Sequence, residues 1–168
     1  MGGVIVEIPR DDSVVTLSEV MQTGYQARMP IQHHVAVGTI LLCDYGLGGF
    51  RAPEMVKARP AIVVSPRLRH RGDLCAVVPL SGSEPAAAVD YVVRLDFADP
   101  LPHPFPFSVW WAKCDMVATV GFNRLDLFRT PRDQYGRRKY LQPRLAAGDL
   151  EHVRRGVLNG LGLASWMP

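Results

Sequence analysis

The sequence predicts a mainly β fold, barrel-like or of the α+β class, followed by one C-terminal helix. Short apolar runs bounded by Gly, Pro and Asp are the first observation, because such runs are typical of buried strands. The second is a stripe of apolar residues at helical spacing near the C-terminus. The third is composition, since 168 residues with 48% hydrophobic content indicate one globular domain of ordinary size.

Five apolar segments are predicted to form the strands, near 39–45, 60–65, 74–80, 90–95 and 109–120. Pro79 in the third segment predicts an edge strand or a bulge, because proline cannot donate to a strand ladder. Trp110 and Trp111 in the last segment must point to opposite faces of a strand. We therefore expect one of them in the core and the other at a partner subunit or stacked on a nucleic-acid base.

The connections and the C-terminus give further signals. Segment 97–106 contains four prolines and predicts an extended loop insertion. Asp149 is expected to cap the C-terminal helix, and Gly160 and Gly162 are expected to end it. The apolar stripe of this helix consists of Leu150, Val153, Val157 and Leu161.

Residues 1–35 differ from the rest and are interpreted as an N-terminal extension to a domain at 36–168. Ser13 can cap a short amphipathic helix that stops near Gly24. Such a short helix is marginal unless it docks on the domain, so this extension is either a short helix or disordered. A second reading takes Met29 as the natural start of the protein. Intact mass of the native protein distinguishes the two.

Charge and cysteine content exclude several classes of protein. A net charge of +3 permits an anionic partner without requiring one. Three cysteines, Cys43, Cys75 and Cys114, form no CxxC and are expected to be reduced and buried. His33 and His34 lack partners at metal-ligand spacing and are expected in a loop. With no membrane-length apolar stretch and no secretory layout, a soluble cytoplasmic protein is predicted.

Three polar residues lie at the ends of predicted strands, where loops carry function. Arg59 begins the second strand, Ser81 ends the third, and Glu54 lies in the loop five residues before Arg59. Taken without any resemblance to a family, such residues are more often a surface or salt-bridging arginine, a turn hydroxyl and a solvated loop acid. A basic loop tip adds Arg67, Arg69, His70 and Arg71, which is either a solvated loop or a site for RNA backbone.

An ordered set of segments resembles the PemK/MazF family of toxin endoribonucleases, and especially its YifN-like subgroup. These segments are Gly38-Thr39-Ile40-Leu41-Leu42-Cys43-Asp44, Arg59-Pro60-Ala61-Ile62-Val63-Val64-Ser65, Val77-Val78-Pro79-Leu80-Ser81, Cys114-Asp115-Met116-Val117, Thr119-Val120 with Arg124-Leu125-Asp126, and a closing helix into Leu161-Gly162-Leu163. The resemblance implies an SH3-like barrel with short helices, usually a homodimer, and in many relatives an antitoxin whose tail occupies the RNA groove. It also implies cleavage of single-stranded RNA without a metal or cofactor.

The resemblance assigns the reaction to Arg59 and Ser81 and matches Glu54 to a frequent acidic position. Attack of a ribose 2′-hydroxyl would place Arg59 on the phosphate, because its guanidinium offers bidentate hydrogen bonds. Ser81 would donate to the developing oxyanion. Glu54 would accept the 2′-proton, with His70 as a less favoured candidate. RNA backbone would be bound by Lys57 and the basic tip.

Two departures from the family pattern leave rival functions open. Ser81 stands where threonine is commoner, and Met55-Val56-Lys57-Ala58 replaces small Gly-rich residues before Arg59. One rival is a catalytically inactive module of the same fold that binds nucleic acid or a gyrase-like protein. The other is a protein whose N-terminal arm folds back over the groove like a built-in antitoxin.

Overall fold

The computed structural model describes residues 30–166 apart from positions 103 and 106. The strands are β1 (Ile40–Asp44), β2 (Ala58–Val63), β3 (Leu74–Ser81), β4 (Val92–Asp96), β5 (Val109–Lys113), β6 (Ala118–Gly121), β7 (Leu125–Asp126), β8 (Phe128–Arg129) and β9 (Tyr140–Leu141), and α1 is Ala147–Gly160. Short 3-10 turns lie at Gly46–Gly48, Cys114–Met116, Phe122–Arg124 and Ala164–Trp166. The predicted mainly β fold with a C-terminal helix is confirmed. The helix predicted between Ser13 and Gly24, and the alternative start at Met29, lie outside the described residues.

The main sheet is antiparallel, with the strand order β4-β5-β3-β2-β1-β7 and with β6 also paired to β3. Strands β8 and β9 form a separate hairpin. Within the described residues, no pairing joins β4 to β7 and closes the sheet on itself. The antiparallel sheet is therefore established, whereas the closed SH3-like barrel is not.

The segment predicted as one strand at 109–120 is two strands separated by the turn Cys114–Met116. Strand β3 pairs with both of them, because Leu74–Val77 face β6 while Leu80 and Ser81 face β5. Pro79 lies between these two paired stretches and has no N–H to offer a neighbour. The prediction of an edge strand or a bulge at Pro79 is wrong, since β3 has partners on both sides and an unbroken register with β2.

The sheet buries both of its faces, which explains why its strands read as continuous apolar runs. Alternate residues of β2 belong to different apolar clusters, with Ile62 on one face and Ala61 and Val63 on the other. The first cluster, on the face covered by α1, includes Ile40, Ile62, Val78, Leu80, Trp110 and Val153. The second cluster, on the opposite face, includes Leu41, Cys43, Tyr45, Ala61, Val63 and Val77.

The Pro-rich segment between β4 and β5 is part of the first cluster and not only a surface loop. Leu101 is 4% exposed. The ring of Phe105 lies edge-on to Trp110, with 6.0 Å between ring centroids. The insertion therefore covers one end of the core.

Helix α1 packs closely on the turn Cys114–Met116. A Cβ added to Gly156 would lie 2.7 Å from Cys114 Sγ, and one added to Gly160 would lie 2.9 Å from Asp115 Cα. The predicted cap is wrong, because Ala146 precedes the first helical residue and Asp149 lies within the first turn. There its carboxylate still interacts favourably with the helix dipole.

The helix ends as the sequence indicates, at Gly160, and Gly162 follows with φ of 70°. The main-chain N–H of Leu163 donates to the carbonyl of Leu158, and that of Gly162 donates to Asn159, which is a Schellman motif. Leu161 lies beyond the helix and is exposed, so it does not extend the apolar stripe. In the described part of the chain, no helix has the length and apolarity needed to cross a bilayer.

The prediction that the cysteines are reduced and buried is confirmed. Burial raises the pKa of the thiols of Cys43 and Cys114 to about 12 and that of Cys75 to about 11. All three therefore keep their protons at neutral pH and behave as small hydrophobic side chains.

Candidate functional site

Arg59 and Ser81 lie at the same end of the β2–β3 hairpin. The pairs between these strands run from Val63 with Val77 to Ala61 with Pro79. Arg59 and Ser81 each lie two residues beyond this last pair, Arg59 near the start of β2 and Ser81 at the end of β3. Alternate residues of a strand project from the same face, so Arg59 shares the face of Ala61 and Ser81 shares that of Pro79. The two side chains therefore lie on one face, at the same end of the hairpin.

The guanidinium of Arg59 has an unsatisfied buried donor. Arg59 is partly buried, and its Nε is buried without a hydrogen-bond partner. No ion pair of Arg59 is present within the described residues. Leaving a buried donor of a charged group unsatisfied costs about 1–3 kcal/mol or more. An anion bound at this position would remove that cost.

The Ser81 side chain keeps its own proton available for donation. Ser81 is 9% exposed, and its Oγ accepts a hydrogen bond of 3.1 Å from the main-chain N–H of Ser83. A hydroxyl has one donor and two acceptor positions, so this contact uses an acceptor only. Ser81 can therefore donate to an oxygen placed beside Arg59.

Glu54 closes a turn in the β1–β2 loop. Its Oε2 accepts a hydrogen bond of 2.9 Å from the N–H of Arg51, and its own N–H donates to the Arg51 carbonyl at 2.8 Å. In the residues that the structure describes, no hydrogen bond or ion pair joins Glu54 to Arg59. The arrangement thus gives Glu54 a structural contact and leaves it unattached to the Arg59 side chain.

A cavity of about 290 Å³ separates this loop from the turn after β5. Glu54 forms part of one wall and Asp115 part of the other, and Tyr45, Met55 and Ala118 complete much of the lining. The last three belong to the second apolar cluster or pack on it. The cavity therefore lies on the same face of the sheet as Arg59.

Arg124 anchors the loop that carries Glu54, and sequence reasoning assigned it no role. Its Nε donates to the Asp44 carbonyl at 3.2 Å and its Nη2 donates to the Tyr45 carbonyl at 2.9 Å. The guanidinium also lies 4.5 Å from the ring centroid of Phe50. The only sequence signal was its place in the family-like Arg124-Leu125-Asp126 segment.

The basic tip lies at the opposite end of the β2–β3 hairpin from Arg59. It belongs to the loop between Val63 and Leu74, and its side chains are exposed. Four residues of β2 follow Arg59 and span about 13 Å at about 3.3 Å each, and the tip lies beyond the last of them. His70 is therefore out of hydrogen-bond reach of a phosphate held by Arg59. Lys57, by contrast, directly precedes β2 and is exposed beside the Arg59 end.

The two tryptophans point to opposite faces, as expected for strand residues. Trp110 is buried in the first cluster, and its indole N–H donates to the Phe107 carbonyl at 2.9 Å. Trp111 is partly exposed and pairs with Ser81 across β3 and β5. The sequence left open which tryptophan faces outward, and the strand register identifies it as Trp111.

Metal binding has no structural support among the described residues, where no three His, Cys, Asp or Glu side chains are grouped to hold an ion. His33 and His34 lie before β1, outside any helix or strand. The centroid of the His34 ring lies 6.1 Å from the centroid of the Phe122 ring.

Comparisons with known proteins agree with this architecture. Residues 36–154 match the family model described as PemK-like, MazF-like toxin of type II toxin-antitoxin system. The uncharacterized protein YifN of Escherichia coli (strain K12) is 27% identical over 154 residues, an alignment that covers 82% of this chain and 98% of YifN.

Two solved structures share the fold. An endoribonuclease in complex with its cognate antitoxin, from a mycobacterial species, superposes with a TM-score of 0.51 at 20% identity, covering 77% of this chain and 97% of that one. A second mycobacterial endoribonuclease gives a TM-score of 0.50 at 18% identity, covering 79% and 97%. The arrangement of sheet and helix is therefore the MazF-like one.

Proposed function

Because the chain belongs to the PemK-like, MazF-like toxin family of type II toxin-antitoxin systems, we propose that it is an endoribonuclease that cuts single-stranded RNA without a metal or cofactor. The observation that carries the proposal is the buried, unpartnered Nε of Arg59, one strand away from the free hydroxyl proton of Ser81. A charged donor and a neutral donor on one face, at the same end of the hairpin, form a site for a phosphate.

The proposed reaction is attack of a ribose 2′-oxygen on the adjacent phosphorus. The 2′-hydroxyl loses its proton as the new P–O bond forms, the P–O5′ bond breaks, and the 5′-oxygen takes up a proton. The products are a 2′,3′-cyclic phosphate and a 5′-hydroxyl. Negative charge grows on the non-bridging oxygens, so fixed donors stabilise the transition state more than the ground state.

In this proposal Arg59 binds the non-bridging oxygens and Ser81 donates to one of them. Arg59 cannot serve as the base, because a guanidinium does not deprotonate in proteins. Glu54 is the proposed proton acceptor, and its Oε1 is outside the turn contact that occupies Oε2. The loop that carries Glu54 borders an open cavity, which leaves room for an RNA strand between Glu54 and the sheet.

Backbone binding extends in two directions from this site. Lys57 lies beside Arg59 and would contact an adjacent phosphate. The basic tip, more than about 13 Å away, would contact a separate stretch of the same RNA strand. Such contacts add affinity that falls with salt and carry no sequence information.

The toxin family implies partners as well as a substrate. We propose that a cognate antitoxin occupies the same face, as one similar mycobacterial endoribonuclease is solved with its antitoxin. We further propose a homodimer that acts in the cytoplasm. Co-expression with a neighbouring small open reading frame, followed by copurification, tests the antitoxin.

The test of function is end-group analysis of RNA cut by the purified chain. A matched strand with a 2′-deoxy sugar at the cut site should remain intact, and equal cutting of both strands would refute the 2′-attack. Arg59→Ala should abolish cutting, whereas Arg67→Ala removes the same charge at the far end of the hairpin and should only weaken binding. RNA binding without any cutting would instead favour the inactive binding module.

Ser81 has its own matched set of variants. Ser81→Ala should lower the cleavage rate by about 10²–10³-fold, the usual loss for one oxyanion donor. Ser81→Thr keeps the hydroxyl and should retain most of the rate. Ser83→Ala is the control, because only the main-chain N–H of Ser83 contacts Ser81.

A further inference from the structure

Strand register places three side chains in one row across the sheet. Ser81 of β3 is paired with Trp111 of β5, and Trp111 is paired with Arg94 of β4. Residues in one such row share a face of the sheet and are separated by about 4.8 Å per strand. On the other side of Ser81, Arg59 lies two residues beyond the last β2–β3 pair, on the same face and at the same end of the hairpin. The row is therefore Ser81, Trp111 and Arg94, with Arg59 near its β3 end.

Trp111 is a ring without a partner in this row. The other face of β5 carries Trp110 and Ala112, which are buried in the first cluster. Trp111 projects away from that cluster and remains partly exposed. No ring contact, cation–π contact or hydrogen bond of its indole is found within the described residues.

Arg94 is held in position at the far side of the ring. Its Nη2 donates to Asp96 Oδ1 at 2.8 Å, and its Nε donates to both carboxylate oxygens of Asp96. Both side chains are more than half exposed, and the Nη1 donors of Arg94 lie outside this ion pair and can bind an additional anion. Arg59 on one side and the Arg94–Asp96 ion pair on the other thus flank a hydroxyl and a partly exposed indole.

We propose that Trp111 is a stacking subsite for one unpaired RNA base, placed between the phosphate bound at Arg59 and Ser81 and a second phosphate near Arg94. This inference rests on the proposed function, because it assigns a base position beside the proposed scissile phosphate. An indole stacks on any base, so the subsite adds affinity and position without choosing a sequence. Trp111 does not touch the reacting atoms and acts by positioning the strand.

Charge favours RNA over a second copy of the chain as the occupant. The interior of a protein–protein interface is depleted of charged residues, whereas this surface carries Arg59 at one end and the Arg94–Asp96 ion pair at the other. One of them, Arg59, has a buried N–H that only an acceptor can satisfy. A polyanion with flat bases supplies both kinds of partner.

The test measures binding of short single-stranded RNA that carries 2′-O-methyl sugars and cannot be cut by 2′-attack. Trp111→Ala and Trp111→Leu should weaken binding about tenfold, whereas Trp111→Phe should stay within about threefold because it retains a stacking ring. Lys113→Ala is the control for loss of charge on the same β-strand. In this variant, removing one base from the RNA should weaken binding as much as it does for the wild-type chain. Circular dichroism confirms that each variant is folded.

An abasic scan of the same RNA identifies stacking itself. Replacing the stacked nucleotide should weaken binding to the wild-type chain about tenfold and should have almost no further effect on Trp111→Ala. The proposal would be overturned if, at every RNA position, the loss of affinity from the missing base were the same in Trp111→Ala as in the wild-type chain. Unchanged RNA affinity of Trp111→Ala would overturn it too, and a simultaneous change of sedimentation behaviour would assign the ring to a subunit interface.

The two proposals fail separately in these assays. If the wild-type chain does not cut RNA but shows the coupling between Trp111 and one base, the nuclease proposal fails and the stacking subsite stands. If cutting is normal and no coupling is found, the stacking subsite alone is wrong.

Discussion

Replacing Gly156 by alanine tests the contact on which the turn between β5 and β6 depends. A Cβ there would lie 2.7 Å from Cys114 Sγ and 3.0 Å from Val93 Cγ2. Cys114 is fully buried and cannot swing into solvent. Overpacking of this kind costs about 1–3 kcal/mol, and the better helix propensity of alanine returns at most about 1 kcal/mol. We expect a net loss of up to about 2 kcal/mol in the free energy of unfolding.

Gly148→Ala is the matched control, because a Cβ in that first turn of α1 meets no atom within 4 Å. It receives the propensity gain without the clash, so the difference between the two variants isolates the contact of helix and turn. That difference should be about 1–3 kcal/mol, or about 2–12 °C in Tm for a chain of this length. Thermal unfolding followed by circular dichroism measures it. Equal Tm values for the two variants would refute the close packing of α1 on the turn.

Three further predictions concern stability and the loop of the site. Burial raises the pKa of Cys43 and Cys114 to about 12 and that of Cys75 to about 11. The folded chain therefore keeps thiol protons that the unfolded chain releases above about pH 9. The free energy of unfolding, measured with urea, should fall as the pH rises above about 9. A flat profile in that range would contradict the burial of the thiols. Gly162→Ala should lower the free energy of unfolding by about 1 kcal/mol, since φ there is 70°, and Gly162→Asn should lower it less. Arg124→Ala should cost about 1.5–3 kcal/mol by removing its hydrogen bonds to two main-chain carbonyls, and limited proteolysis should then cut the 46–57 loop faster than in Arg124→Lys.

The strands were predictable because burial on both faces produces apolar runs, which can be recognised without knowing which strands pair. The pairing itself was not predictable, since the partner of each strand depends on the arrangement of the whole sheet. Pro79 illustrates the limit. Its missing N–H predicted an edge strand or a bulge, but Pro79 falls where β3 changes from one partner to another on the same side and not at an edge. The continuous prediction for 109–120 failed for the same reason.

The candidate site shows a similar division. The end of β3 and the start of β2 lie at the same end of any antiparallel hairpin, so the placement of Arg59 and Ser81 at one end follows from the sequence alone. The Glu54 carboxylate accepts a hydrogen bond from the main-chain N–H of Arg51, which closes a turn. This turn could not be predicted, because an acidic residue three positions after another residue is a very common sequence pattern. Trp111 could be assigned to the outer face only once its pairing with Ser81 was known.

The apolar contacts of the sheet also determine where the site faces. Ala61, Val63 and Val77 share the face of Arg59, while Ile62 and Val78 pack on the opposite face, beneath α1. A slip of one residue in β2 would exchange these sets and move the guanidinium to the helix-covered face. Such a slip would also expose or misplace every buried side chain of the strand. The core therefore fixes the register, and the register in turn keeps Arg59 on the face of the sheet that carries Ser81 and Trp111.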